Sequence, residues 1–411
     1  MKINKHCFPN GLRLVHYEDT STQMVALNIV YDVGARDEHP EHTGFAHLFE
    51  HLMFGGSAHI PDYDTPLQLA GGENNAWTNN DITNYYLTVP KPNVETAFWL
   101  ESDRMLELAF SEQSLEVQRG VVMEEFKQRC LNQTYGDVGH LFRPLAFRVH
   151  PYRWPTIGKE LSHIEQATLD EVKSFFYRFY APNNAVLAVT GNISWDETVK
   201  LTEKWFAPIP RRNVPVRQLP QEPEQTQERR LTVERNVPLD ALFMGYHMCS
   251  REGADYYAFD ILSDILSNGR SSRLNRRLVQ EQNIFSGIDA YISGTRDAGL
   301  LQISGKPAAG VSLEQAEAAV RKELEELQRS PVDGQELEKV KNKFESTQIF
   351  GNINYLNVAT NLAWFELTGK AEDIDLEVER YRSVTTEQLH TVAQRTFCES
   401  NAVVLYYKSD K

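Results

Sequence analysis

The segment GFAHLFEHLMF, residues 44 to 54, carries three polar residues in an otherwise apolar, helix-like run. At about 100° per residue, His51 lies about 40° from His47 around a helix axis, and Glu50 lies about 60° to the other side. The three side chains therefore share one arc. Two histidines four positions apart can bind one zinc ion, and a Glu beside the second His can contact the ion's water.

Thr43 is a plausible N-cap for this helix, and Gly55-Gly56 is a plausible stop. The alternative to a metal site is a core helix whose histidines make ordinary hydrogen bonds. Because an unpaired buried carboxylate costs several kcal/mol, two histidines and a glutamate in one narrow arc favour the metal site.

Composition bounds the class of protein. The chain has 411 residues, with 41% hydrophobic and 24% charged residues, and a formal charge of 42 − 57 = −15. No Lys/Arg-rich stripe is present, so nucleic acid is not an expected partner. The start of the chain has no signal-like apolar run, and no segment approaches 18 apolar residues. The four cysteines are scattered, which is typical of reduced thiols. We therefore expect a soluble cytoplasmic protein without a membrane segment.

The chain divides near its middle. Residues 208–238 hold six prolines and many charges, the composition of an extended linker. Thr168 and Thr385 each begin a segment that reads as a capped helix, a break at an Asn, and an apolar strand. The repeat predicts two homologous domains, 1–207 and 239–411.

Each half alternates strand-like runs with longer helix-like segments. This order predicts an α+β fold, in which each domain is a mostly antiparallel sheet with helices packed on one face.

The pattern His-x-x-Glu-His is the inverted zincin signature. Several other segments accompany it in order: FPNGLRLVHYED, VYDVGARDE, GGENNAWTNNDITNYYLTVP, RGVVMEEF, APNNAVLAVTGN and GRSSRLNRRL. With them the chain resembles, over nearly its whole length, the pitrilysin/insulysin family of zinc peptidases, and in particular small bacterial members similar to mitochondrial processing peptidase. The resemblance implies a zinc-dependent endopeptidase, with His47 and His51 as metal ligands and Glu50 as the catalytic base.

The resemblance also implies a third ligand from a downstream helix, where Glu124 and Glu125 compete. If residues 114–130 are helical, Glu125 lies about 60° from Val122 on the apolar face, whereas Glu124 lies nearly opposite. Glu125 is the better ligand, and the family register agrees. Many relatives carry a further acid seven positions earlier; this chain has Gln118 there, with Glu116 nearby.

The segment GGENNAWTNND resembles the family's substrate strand. The resemblance implies that Asn75, Ala76 and Trp77 lie on an edge strand that receives the substrate backbone, although an ordinary edge strand is the alternative. Phe54 is a candidate for a pocket beside the zinc, or plain core.

The second half reads DILSD where the first reads HLFEH, so it has no comparable zinc site. In active relatives the second half instead offers an Arg and, seven positions later, a Tyr for the scissile carbonyl. Counted from GRSSRL, the resemblance implies that these positions are Leu278 and Phe285, which cannot donate hydrogen bonds. We therefore expect a heterodimer, in which a homologous partner supplies the clamp to a closed chamber holding peptide or unfolded substrate. A homodimer and a non-catalytic assembly or peptide-holding subunit are the alternatives.

Overall fold

The computed structural model describes residues 1–410, which form two compact units. Unit 1 comprises Met1–Gln133, Trp154–Pro220 and Ile349–Leu376; unit 2 comprises Thr134–Arg153, Gln221–Gln348 and Glu377–Lys411. Each unit therefore includes one segment from the opposite half of the chain. The predicted domain bounds at 207 and 239 stay a prediction.

The strands form one sheet per unit. They are β1 (Ile3–Cys7), β2 (Arg13–Glu18), β3 (Met24–Tyr31), β4 (Glu73–Thr78), β5 (Thr83–Pro90), β6 (Ala185–Gly191), β7 (Arg229–Arg235), β8 (Ala241–Met248), β9 (Phe285–Ile292), β10 (Gly299–Pro307) and β11 (Ala402–Ser409). The order is β1-β2-β6-β3-β5-β4 in unit 1 and β7-β11-β8-β10-β9 in unit 2. The neighbours are antiparallel except β2 with β6 and β11 with β7.

The α-helices are α1 (Phe45–Leu52), α2 (Asp64–Leu69), α3 (Val94–Leu106), α4 (Glu112–Phe126), α5 (Val138–Ala146), α6 (Leu161–Glu165), α7 (Leu169–Phe179), α8 (Trp195–Trp205), α9 (Tyr256–Ser267), α10 (Leu313–Arg329), α11 (Gly334–Gly351), α12 (Tyr355–Thr368), α13 (Glu377–Ser383) and α14 (Thr386–Thr396). Two π-helical segments are Lys127–Asn132 and Asn275–Glu281. The 3₁₀ segments are Ala35–Asp37, Lys91–Asn93, Pro151–Arg153, Pro182–Asn184, Ala371–Leu376 and Glu399–Asn401.

Helices cover both faces of each sheet. In unit 1 the main core joins the sheet to helices that include α1, α3, α4 and α7, and α12 packs on the opposite face. In unit 2 the main core includes α9, α10 and α14, and α5 packs on the opposite face. The predicted α+β fold with two largely antiparallel sheets is confirmed, but helices cover both faces of each sheet and not one face as predicted. Helices α5 and α12 each belong to the unit formed mainly by the other half of the chain. This exchange was not predicted, because nothing local in either segment indicates which sheet it covers.

The sequence repeat corresponds to repeated hydrogen bonds. Thr168 caps α7, and Thr385 caps α14, each accepting a backbone N–H three residues on. After each helix an Asn side chain donates to a carbonyl near the helix end: Asn184 to Phe179 at 2.8 Å and Asn401 to Thr396 at 3.0 Å. These bonds fix the break between helix and strand in the same way in both units.

The proline-rich stretch is extended, as its composition predicts, but it is anchored by its side chains. No helix or strand occurs between residues 211 and 226, and β7 begins within the predicted linker. Arg217 pairs with Asp37 at 2.6 Å, and Gln225 donates to the carbonyl of Ala402 at 2.8 Å. The first contact lies in unit 1 and the second in unit 2.

A buried carboxylate ties α10 to the sheet of unit 2. Glu317 accepts hydrogen bonds at 2.7 Å from Arg230 and from Arg321, and another from the hydroxyl of Tyr406. Burial alone would raise the pKa of Glu317, but these donors outweigh it and lower the pKa to about 2. The charged form of Glu317 therefore stabilises unit 2.

We predict that Glu317→Gln lowers the free energy of unfolding by about 2 kcal/mol at pH 7, because it leaves two guanidinium groups facing a neutral amide. Since the pKa of Glu317 in the folded protein lies below the usual range of a glutamate, the wild-type advantage is present above about pH 5 and is lost as the pH falls towards 2. Urea unfolding at pH 7 and pH 3 measures both effects. Glu325→Gln, which removes an exposed pair with Arg329 on the same helix, is the matched control. An equal loss in both variants, or a pH-independent loss, contradicts the prediction.

Candidate metal centre and substrate strand

Helix α1 is positioned by a carboxylate that precedes it. The helix begins after Gly44, whose φ is 88°, and the expected side-chain cap by Thr43 is absent among the described residues. Instead, Glu38 accepts hydrogen bonds from the backbone N–H groups of Gly44 and Ala46, both at 2.9 Å. A Cβ at position 44 would also lie 2.7 Å from Ile164, so only glycine fits there. Burial raises the pKa of Glu38 to about 8, and the two N–H groups oppose that rise.

Helices α1 and α4 bring three candidate ligands together. Glu125 Oε2 lies 3.5 Å from His47 Nε2 and 3.4 Å from His51 Nε2. The ligand atoms of the three residues all lie within 4.8 Å of one another, and no other such group of three occurs in residues 1–410. The apolar face of α4, which includes Leu115, Val122 and Phe126, is buried and fixes the rotation that turns Glu125 inward.

Burial sets the protonation states around this point. It lowers the pKa of His47 to about 4, so its ring is neutral at pH 7 and has a free lone pair. The neighbouring His51 ring is the largest influence on Glu125 and lowers its pKa. Burial raises the pKa of Glu50, which lies on α1 next to His51.

The other acidic residues of α4 face solvent. Glu124 is exposed and pairs with Lys127 at 2.5 Å. Glu116 is exposed and pairs with Arg119. Gln118 carries no charge, so none of these three residues adds an acid to the centre.

Strand β4 is an edge strand. It pairs with β5 alone among the described residues, and it contacts α1. Asn75 and Trp77 are exposed, whereas Ala76 packs on the core. The backbone of this strand therefore lies beside the candidate metal centre with one edge open to a further strand.

Phe54 packs into a layer that sequence reasoning missed. Its ring lies 5.6 Å from that of Tyr63, and the guanidinium of Arg104 lies 5.2 Å from the ring centre. Arg104 is buried and pairs with Glu101 on α3, three positions away. Because Phe54 is half-buried in this layer, its main contacts are with the core. The spacing of Glu101 and Arg104 is the one sequence signal for the pair.

In the described part of unit 2, the segment that matches HLFEH carries no histidine. Asp260 and Asp264 lie on α9 where α1 has its histidines; Asp260 accepts a hydrogen bond from Tyr381. Leu278 and Phe285 are both buried in the core of unit 2. Of the neighbouring arginines, Arg277 pairs with Glu323 on α10 at 2.6 Å.

Comparison with known proteins matches both halves of the chain to one family. A family model described as Insulinase (Peptidase family M16) matches residues 13–140, and one described as Peptidase M16 inactive domain matches residues 166–344. The chain belongs to peptidase family M16. The M16 family is the pitrilysin/insulysin family, so the resemblance seen in the sequence is confirmed.

Individual M16 relatives match over nearly full length. The chain is 26% identical over 407 residues to "Zinc protease PqqE" of Helicobacter pylori, covering 97% of this chain and 91% of that protein. It is 25% identical to "Uncharacterized zinc protease YmxG" of Bacillus subtilis, covering 98% of each. The crystal structure of a protease from Helicobacter pylori superposes with a TM-score of 0.93 at 26% identity, covering 99% of both chains. The names indicate zinc in this family.

No helix in the described part of the chain is long and apolar enough to cross a membrane.

We predict that Glu38→Ala lowers the free energy of unfolding of this M16 chain by about 1–3 kcal/mol, because two buried N–H groups lose their acceptor. Glu41→Ala, which changes an exposed glutamate three positions away, should have no measurable effect. Thermal unfolding of the three proteins tests this. If Glu38→Ala is as stable as Glu41→Ala, the cap does not hold α1.

Proposed function

We propose that this chain is the zinc-bearing subunit of an M16 endopeptidase that hydrolyses peptides or unfolded segments. The observation that carries the proposal is the convergence of His47, His51 and Glu125 at one point, with Glu50 on the same short helix as the histidines. A cytoplasmic location, suggested by the sequence, remains part of the proposal.

The three ligand atoms fit a zinc ion. Tetrahedral bonds of about 2.0–2.1 Å place neighbouring ligand atoms about 3.3 Å apart. The separations of 3.5 and 3.4 Å from Glu125 Oε2 to the Nε2 atoms of His47 and His51 are close to that value. They are longer than ordinary hydrogen bonds. Two imidazoles and one carboxylate also leave a coordination position open, as catalytic zinc sites do.

A zinc ion held by His47, His51 and Glu125 would supply Lewis acidity, which polarises a peptide carbonyl and makes water a nucleophile at neutral pH. Glu50 accepts at its carboxylate the proton of the water that attacks the carbonyl carbon. The same carboxylate then delivers that proton to the departing amide nitrogen. Glu50 is partly buried on α1, and this burial raises the pKa of its carboxyl, which favours proton transfer near neutral pH.

The substrate backbone binds along β4. An extended peptide added to this edge pairs its N–H and C=O groups with the main chain at Asn75, Ala76 and Trp77. Main-chain pairing gives affinity with modest dependence on side chains, which suits the processing of unfolded segments. The contact between β4 and α1 supports this role.

We predict that Glu50→Gln retains one zinc per chain and lowers peptide hydrolysis by about 100- to 10,000-fold, because it removes the proton acceptor and leaves the ligands intact. Glu125→Gln should lose zinc, whereas Glu124→Gln, a change one position away on the exposed face, should change neither zinc content nor activity. Elemental analysis and a quenched-fluorescence peptide assay measure both quantities. Undiminished hydrolysis by Glu50→Gln refutes its role, and wild-type protein without zinc refutes the proposal.

We also propose that the chain works with a homologous partner. Removing donors to a developing oxyanion typically costs about 10²- to 10³-fold in rate. Leu278 and Phe285 occupy the positions that serve this purpose in active relatives, and both side chains are buried packing residues. A homologue carrying the Arg and Tyr supplies what this chain lacks.

For the partner we expect low peptide hydrolysis from the purified chain alone and an increase of at least about 100-fold when a homologue with the Arg and Tyr is added. Adding the same homologue to Glu50→Gln provides the control, because the zinc half is then inactive. High activity from the chain alone would remove the need for a partner.

The alternative function is a non-catalytic subunit that holds peptides or assembles with other chains. The buried Leu278 and Phe285 favour it, whereas the converging ligands of unit 1 favour catalysis. A preparation that carries zinc but digests no peptide with any homologous partner would support the alternative.

A further inference from the structure

The two oxygens of Glu125 have different partners. Oε2 faces the ring nitrogens of His47 and His51, whereas Oε1 pairs with Arg129 Nη2 at 2.9 Å. Because the guanidinium is fixed on one oxygen, the carboxylate is held with the other oxygen directed at the histidines.

Arg129 reaches Glu125 from an unusual backbone. Helix α4 ends at Phe126 and continues as a π-helical turn over Lys127–Asn132, with Cys130 buried within it. Such turns are rare and are frequently found at functional sites. Cys130 is buried in this turn, whereas its neighbour Arg129 is exposed and pairs with the carboxylate of Glu125.

We propose that Arg129 is a positioning residue that holds Glu125 as a one-oxygen metal ligand. This inference rests on the proposed zinc site. With Oε1 occupied by the guanidinium, Glu125 contributes Oε2 alone, and the coordination position needed for water and substrate stays open. Without Arg129 the carboxylate is free to rotate or to bind an ion through both oxygens.

The positive charge of Arg129 also acts against metal binding, and the experiment must distinguish this effect from the orientation of Glu125. A cation near the site repels a metal ion, so removal of the guanidinium by itself favours metal binding. The Arg129 side chain is 68% exposed, so water and salt weaken both this repulsion and the ion pair with Glu125, but the direct contact at 2.9 Å is screened less than a charge acting over a longer distance. Holding the ligand should therefore outweigh repulsion, and changes to groups that orient a ligand typically cost about 10- to 100-fold in metal affinity.

The chain offers a matched control two positions before Arg129. Lys127 pairs with Glu124 on the same helix end, through a carboxylate that faces solvent. Arg129→Met and Lys127→Met each remove one cation from one glutamate, but only the first glutamate is a candidate ligand. Arg129→Lys keeps the charge and one donor.

The test is zinc affinity, measured by competition with a chromogenic chelator, together with the visible spectrum of cobalt-substituted protein. We expect Arg129→Met to bind zinc about 10-fold more weakly. Its cobalt absorption should fall in intensity, because a second Glu125 oxygen raises the coordination number. Arg129→Lys should recover most of both properties, and Lys127→Met should match wild type.

The outcomes separate the two proposals. Unchanged or tighter zinc binding by Arg129→Met, with an unchanged cobalt spectrum, overturns the positioning role while leaving the zinc site intact. An equal loss in Lys127→Met also overturns it, since the loss would then come from a disturbance of the helix end and not from the contact between Arg129 and Glu125. Wild-type protein that binds no zinc overturns the proposed function itself. Circular dichroism of the metal-free variants confirms that each is folded.

Discussion

The candidate centre depends on one constraint. The imidazoles of His47 and His51 must stay about 3.4–3.5 Å from the carboxylate of Glu125, where the apolar faces of α1 and α4 pack together. Helix α1 has eight residues, which is too short to be stable alone. Its position comes from burial of Leu48 and Phe49 and from the hydrogen bonds that Glu38 accepts at its first turn. The separations of 3.4 and 3.5 Å therefore depend on the packing of unit 1, not on the helix itself.

The sequence predicted the parts of this centre that follow from periodicity. The arc of His47, Glu50 and His51 follows from residue spacing, and Glu125 was preferred over Glu124 because it lies near the buried Val122. Glu38 was missed, because it reaches α1 through an irregular segment in which spacing carries no directional information. Arg129 was missed because an arginine in a polar helix end is usually solvated, and the π-helical turn that directs it has no clear sequence pattern.

The features of the fold that follow from local sequence patterns were predicted as well. Local patterns identified the strands and helices and the duplicated unit, since Thr168 and Thr385 begin equivalent helices. The exchange of α5 and α12 depends on long-range packing. Val358 and Leu362 of α12 pack against the sheet of unit 1 together with Val15 and Val186, far away in sequence. No local signal distinguishes this apolar face from one that covers the nearer sheet.

The two units share the hydrogen bonds that fix their helices and strands but differ in the residues that could bind a metal. The caps and the bonds from Asn184 and Asn401 are retained in both, whereas unit 2 has aspartates in place of the histidines. Leu278 and Phe285 belong to the core, so a charged or hydroxyl side chain there would bury a polar group without a partner at a cost of several kcal/mol. At these two positions, the packing that stabilises unit 2 therefore favours apolar side chains. The two adjacent glutamates of α4 differ in their surroundings. Glu124 is exposed and pairs with Lys127, whereas Glu125 pairs with Arg129 through Oε1 and faces the histidines with Oε2.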